Sequence, residues 1–224
     1  DVQGKDAAGF LNLIYCNGFA KLAVGKTRYG LMLREDGIAL DDGTAARLDE
    51  NHFVVTTTTA NAVSVYRHME FVRQCLFPKM DVQLISTTEA WAQFAIAGPN
   101  SRNVIRKIVD EEYDISNEGF PFMACGQITV CGGLRARLFR ISFSGELAYE
   151  LAVPTRYGDP LMREIMKAGK EFDIVPYGTE ALGVMRIEKG HLTNAEIDGR
   201  VISSDLSLEG MLSKKKDFIG KRSL

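Results

Sequence analysis

Cysteine, histidine and long apolar runs are scarce in this 224-residue sequence, and each scarcity removes a class of function. Cys16, Cys75, Cys125 and Cys131 never form a Cys-x-x-Cys pair, and the step from Cys125 to Cys131 is too loose for a zinc knuckle. They read as buried free thiols. His52, His68 and His191 have no partner four residues on, so neither a metal site nor a Cys/His nucleophilic pair is expected. The longest apolar stretch, residues 14–23, is broken by Asn17 and Lys21 and falls well short of the roughly 20 residues of a membrane span. Charge of one sign is missing too. Lys and Arg number 27 against 29 Asp and Glu, leaving a net charge of -2, so no general attraction to nucleic acid or to an anionic membrane is expected. No charged-then-apolar leader opens the chain, and a soluble, cytoplasmic protein is the expectation.

What is present is ordinary globular material, 46% hydrophobic and 25% charged, enough for one large core or two packed subdomains. Phe10, Leu11, Leu13 and Ile14 give residues 6–16 the spacing of a short amphipathic helix. Residues 29–34, 38–48 and 52–58 read as an antiparallel meander, turned at Asp36-Gly37 and at Asp49-Glu50-Asn51. Thr59 is placed to cap a helix reaching Leu76, with Ala62, Val65, Met69 and Val72 at helical spacing and Pro78 beyond its end. Strands at 82–87 and 92–97 follow, then a helix opened by Gly98-Pro99-Asn100 with Pro99 in its first turn. Strands at 127–131, 134–143 and 146–153 and a helix over 155–169 complete the pattern, and a further helix ends at Gly190.

Strands grouped between helices, rather than alternating with them, predict an α+β fold with antiparallel sheets. The expected division is a first subdomain over 1–80, a second over 81–175 and a return segment over 176–224 that completes the core. The chain opens on Asp1-Val2-Gln3 and closes on Lys221-Arg222-Ser223-Leu224, which reads as a piece of a longer protein.

Gly25-Lys26-Thr27 invites a phosphate-loop reading, but that motif needs glycine at position 20, where Ala20 stands. Asp41 and Asp42 are more informative, because they are adjacent carboxylates in an apolar strand. Alternation turns them to opposite faces, so at most one sits inside. One of them is a candidate functional group; the plainer alternative is a strand end with both solvated. Glu150 likewise lies opposite Leu147, Tyr149 and Leu151 on its strand. It can accept paired N–H donors from an aminopyrimidine ring, or it can be an exposed charge. Arg186 and Glu188 read as helix structure, and Lys214-Lys215-Lys216 as a solvated basic edge or a hold for a polyanionic tail.

Taken in order, Tyr29-Gly30-Leu31-Met32-Leu33, Asp41-Asp42-Gly43, Thr56 to Thr59, Ala97-Gly98-Pro99, Phe143-Ser144-Gly145-Glu146, Tyr177-Gly178-Thr179-Glu180, Arg186-Ile187-Glu188-Lys189-Gly190 and Lys216-Asp217-Phe218 resemble one family. It is the aminomethyltransferase family, and within it the folate-binding domain of heterotetrameric sarcosine oxidase alpha subunits. The glycine-cleavage T-protein and dimethylglycine dehydrogenases are other branches. The resemblance implies that the start of the first subdomain and a final β-barrel lie outside this sequence.

It also implies tetrahydrofolate as ligand, Asp42 as the proton-handling carboxylate, and Tyr29, Thr58, Phe143 and Glu150 as folate contacts, with Glu150 on the pterin. No metal is implied. Phe143 stands where the T-protein has tyrosine, and Leu182 where an arginine commonly meets folate, which favours the sarcosine oxidase branch. The implied activity is capture of the one-carbon unit from oxidative demethylation as 5,10-methylenetetrahydrofolate, with flavin and NAD elsewhere in the enzyme and a flavin-bearing beta subunit as partner. The alternatives are a stand-alone aminomethyltransferase and a non-catalytic folate-binding accessory protein of the same fold.

Overall fold

Turn chemistry and period-2 alternation organise the chain around two antiparallel sheets in the computed structural model, which describes residues 1–224. Two compact units result: Asp1–Ser86 with Leu192–Leu224, and Thr87–His191.

In the first unit the meander is β2 (Lys26–Leu33), β3 (Ala39–Asp49) and β4 (His52–Val55), all antiparallel. Gly37 adopts φ +85° in the first turn, a conformation that favours glycine, and the Asp36 carboxylate accepts the Ile38 N–H. Two short strands extend the sheet, β1 (Val2–Gln3), which the sequence pattern does not show, and β5 (Gln83–Leu84), the short core of the strand expected over 82–87, giving the order β2-β3-β4-β1-β5. Residues 83–84 therefore belong to the first sheet and not to a second subdomain. The contacts divide the chain after Ser86 and after His191, where the sequence pattern had suggested 80 and 175.

Both faces of the meander are buried, which explains the unbroken Leu31-Met32-Leu33 run. Met32, Ala45 and Phe53 pack with Phe10, Leu11 and Ile14 of α1 (Ala7–Ile14) and with Val65 and Met69 of α2 (Ala62–Phe71). Leu31, Leu33 and Ala39 pack with Ile197 and Phe218 of the return segment. Thr59 does not cap α2. It lies in a 3-10 turn, Thr59–Asn61, and Asn61 is the residue before the helix, its side chain turned elsewhere. The last turn of the expected helix, Val72–Leu76, is π-helical.

Lys216 is not part of a solvated edge. Its ammonium donates to the backbone carbonyls of Asn12, at 2.6 Å, and Tyr15, so it closes the C-terminal end of α1. Burial lowers its pKa to about 8. Cys16 and Cys125 are buried thiols, whereas Cys75 and Cys131 are exposed.

The second unit carries a four-stranded sheet in the order β6 (Trp91–Ala97), β9 (Ala148–Pro154), β8 (Leu134–Phe139), β7 (Cys125–Val130). Ile96, Leu138, Tyr149, Leu151 and Val153 point to one face, where α3 (Ser101–Arg106) and α4 (Gly158–Gly169) cover them with Val104, Ile105, Leu161 and Ile165. Pro99 precedes the Asn100 cap of α3 instead of standing in its first turn. Strand β8 stops at Phe139, short of 143, because residues 142–145 form a turn in which Gly145 at φ +88° donates its N–H to Ser142 Oγ. A last helix, α5 (Thr179–Lys189), ends at Gly190 with φ +83°, the left-handed helix stop. No helix is long and apolar enough to cross a membrane.

Candidate functional site

In the first unit, alternation sends Asp41 and Asp42 to opposite faces of β3. Asp41 is only 1% exposed. Its Oδ2 accepts the Thr58 N–H at 3.1 Å and its Oδ1 the Asn61 side-chain N–H at 3.1 Å. Burial raises its pKa; the bonds from Asn61 and Thr58 oppose that rise, and the charge of Asp42 adds to it. Asp42 is half-buried, and Tyr29 Oη donates to its Oδ2 at 2.7 Å. Burial raises the Tyr29 pKa first, and the Asp42 carboxylate second, because a phenolate beside a carboxylate would be a like-charge pair. Tyr29 therefore remains a donor, and Asp42 its acceptor. Asp42 with Tyr29 can accept, hold and return one proton.

Gly43 completes the motif for a steric reason. A Cβ at this position would lie 2.0 Å from Thr56 O, so the backbone of Thr56 runs directly over it. Thr56 is fixed there by its N–H to Thr44 O at 2.8 Å and by a 2.8 Å contact between the two hydroxyls. Gly43→Ala is expected to cost about 1–3 kcal/mol, the usual range for overpacking. Thermal melting checks this; an unchanged Tm would mean that Thr56 withdraws freely.

In the second unit, Glu150 lies on β9 beside Ala95 of β6 and Phe139 of β8. Gln93 donates a side-chain N–H to Glu150 Oε2. Burial pushes the Glu150 pKa up to about 7, against the lowering effect of that bond. Tyr177 is a further neighbour: its own pKa is raised by burial and then by the Glu150 charge. Gln93 takes one lone pair of Oε2, so both carboxylate oxygens keep acceptor capacity.

Phe143, 38% exposed, sits in the 142–145 turn. Its ring stacks on His191 at 5.8 Å between centroids and 26° between planes, and His191 Nδ1 lies 2.9 Å from Phe143 O. Arg186 Nη1 donates to His191 O at 3.1 Å, which gives Arg186 the structural role expected of it. Leu182 lines an apolar groove of about 310 Å³ with Ala95, Ala97, Met162, Met166 and Tyr177. A larger hollow, about 420 Å³ and lined by Asp6 and residues 76–80, touches none of these groups.

Of the five site residues expected from sequence, Tyr29 and Asp42 are in direct contact and Thr58 is bonded to the neighbouring Asp41. Glu150 and Phe143 lie in the second unit. Asn61 and Gln93 carry no signal in the sequence, Tyr177 is marked there only as part of a family string, and His191 only as a histidine without a partner four residues on. Each enters through a pairing distant in sequence, as Gln93 does through the β6–β9 register, and a single strand's pattern does not encode that.

The GCVT N-terminal domain family matches residues 1–216. The sarcosine oxidase subunit alpha of Rhizobium meliloti (strain 1021) is 56% identical over 226 residues, covering 100% of this chain and 23% of that protein. An aminomethyltransferase of Chloroherpeton thalassium is 31% identical, covering 99% of this chain and 59% of that protein. The glycine cleavage system aminomethyltransferase T from Bartonella henselae shares the fold, with a TM-score of 0.84 at 22% identity, over 99% of this chain and 58% of that one. The chain thus spans less than a quarter of the first relative and under two thirds of the others.

Proposed function

The chain belongs to the GCVT N-terminal domain family, and from that premise we propose that it is the tetrahydrofolate-binding domain of a sarcosine oxidase-like enzyme. On this reading it captures the one-carbon unit from oxidative demethylation of sarcosine as 5,10-methylenetetrahydrofolate. The observation that carries the reading is the 56% identity to a sarcosine oxidase alpha subunit along the whole chain, against 31% to an aminomethyltransferase.

The residues suit a reduced folate. Glu150 offers a half-buried carboxylate, and an aminopyrimidine offers the parallel N–H donors that a carboxylate accepts. Phe143 offers an aromatic face already backed by His191. Asp42, oriented by Tyr29, takes a proton from the folate amine as it attacks the one-carbon unit and returns it to the departing oxygen as water is lost. Holding amine and one-carbon unit together makes the step effectively intramolecular. Flavin on a partner beta subunit would supply the oxidation, and flavin and NAD belong elsewhere in the full enzyme. Four free cysteines suit the reducing cytoplasm that this reading includes.

The test is sarcosine oxidation by the full-length enzyme with its partner subunits, with and without tetrahydrofolate. Free formaldehyde should fall as the folate adduct forms. Undiminished formaldehyde at saturating folate would refute the capture role, and adduct formation only from an aminomethyl-lipoyl carrier would favour the aminomethyltransferase.

A further inference from the structure

We propose that Asp41 is a positioning residue, an acceptor-only clamp that holds the Thr58–Asn61 turn against the strand carrying Asp42. The inference rests on the folate-capture reading for its functional half, whereas the clamp itself stands on contacts within the first unit. Alternation alone makes Asp41 the bystander of the pair, turned away from the chemistry. The contacts make it the more constrained of the two.

Both bonds received by Asp41 come from N–H donors: the Thr58 backbone at 3.1 Å and the Asn61 amide at 3.1 Å. The Thr58 side chain also stabilises the carboxylate. Asn61 turns its amide to Asp41 and to Leu40 O, at 3.4 Å, instead of capping α2 behind it. Two residues earlier, Thr56 is tied to Thr44 and lies on Gly43. The segment 56–61 is therefore fastened at both ends across β3, once on each side of Asp42. A carboxylate satisfies two N–H donors with two acceptor oxygens. An amide at position 41 is uncharged and has only one acceptor oxygen, so the Thr58 N–H meets a weaker acceptor and Asn61 must turn its own oxygen to the new NH2, giving up Leu40 O.

Complementarity is restored by exchanging the groups. Asp41→Asn combined with Asn61→Asp keeps an acceptor for Thr58 and lets the new amide donate to the new carboxylate; only the long bond to Leu40 O is lost.

The experiment compares wild type, Asp41→Asn, Asn61→Asp and the double variant in the full-length enzyme. It reads amide exchange at Thr58, tetrahydrofolate affinity, and the ratio of folate adduct to free formaldehyde. Asp41→Asn should speed Thr58 exchange and cut the adduct ratio, each by about tenfold, with the double variant recovering most of both. Melting temperature alone does not distinguish positioning from general support, but the adduct ratio of fully folded protein does. Unchanged Thr58 exchange in Asp41→Asn, or a double variant no better than the single, would overturn the clamp. Faster exchange with a normal adduct ratio would reduce Asp41 to a structural residue. If wild type forms no adduct while exchange responds as expected, the folate reading fails and the clamp remains as structure only.

Discussion

Asp42→Asn is expected to leave tetrahydrofolate affinity within a few-fold and to lower formation of the methylene adduct by about 100- to 10,000-fold, the range of a general acid-base group. The substitution is nearly isosteric. Tyr29 Oη, which now donates to Asp42 Oδ2 at 2.7 Å, keeps an acceptor in the amide oxygen, so the strand pair and the phenol should stay in place. What is lost is the group able to take a proton and give it back.

Oxidation of the amine belongs to the flavin in the proposed enzyme, so it should continue and release formaldehyde in place of adduct. The measurement is therefore a partition: adduct against free formaldehyde at equal rates of oxidation. A normal partition in Asp42→Asn would mean that the domain works by proximity alone. Tyr29→Phe is the companion variant. It removes the donor that orients the carboxylate and should shift the same partition in the same direction, by less.

The second large effect belongs to Glu150, and it has two signs. Glu150→Ala should weaken tetrahydrofolate binding by on the order of 1.5–3 kcal/mol, the worth of a charge-assisted contact. Wild-type affinity should rise with pH until about 7 and then level off, because only the ionised carboxyl accepts from both donors and burial has pushed its pKa up to about 7.

Stability runs the other way. A carboxyl whose folded pKa lies above its ordinary value of 4.5 favours the folded state when protonated. That contribution is whole below about 4.5 and is lost as pH rises through about 7. At about 1.4 kcal/mol for each pH unit, ionised Glu150 costs the unliganded domain up to roughly 3 kcal/mol at pH 8. Glu150→Gln, whose amide oxygen still accepts from Gln93, should therefore raise Tm at pH 8 and change it little at pH 4.5. Melts at the two pH values decide the point. An equal difference at both would mean that Glu150 ionises like a surface carboxyl, and affinity independent of pH from 5 to 8 would remove it from the proposed site.

The meander, the apolar face of α1, the existence of α4 and the Gly190 stop of α5 were all legible in the sequence, because each is a local pattern: alternation, helical spacing, or a turn residue with the φ it needs. The opposition of Asp41 and Asp42 was legible for the same reason. Strand β1 was not, and the place of β5 in the first sheet was not, since two residues carry no period and pair only because the sheet edge offers them partners. Lys216 looked like one of three exposed lysines until the carbonyls at the end of α1, some 200 residues away, were in place to receive it.

Sequence by itself determined the class of fold and the pair of carboxylates worth attention. It could not say which oxygen meets which donor. Alternation assigns a side chain to a face, but what lies on that face is decided by loops and returning segments brought there by the fold. Tertiary structure thus made Asp41 a buried acceptor for Thr58 and Asn61, gave Asp42 its phenol, and set Gln93 against Glu150. The physical reason is that a buried charge must find its partners within about 3 Å, and those partners come from wherever the chain crosses next.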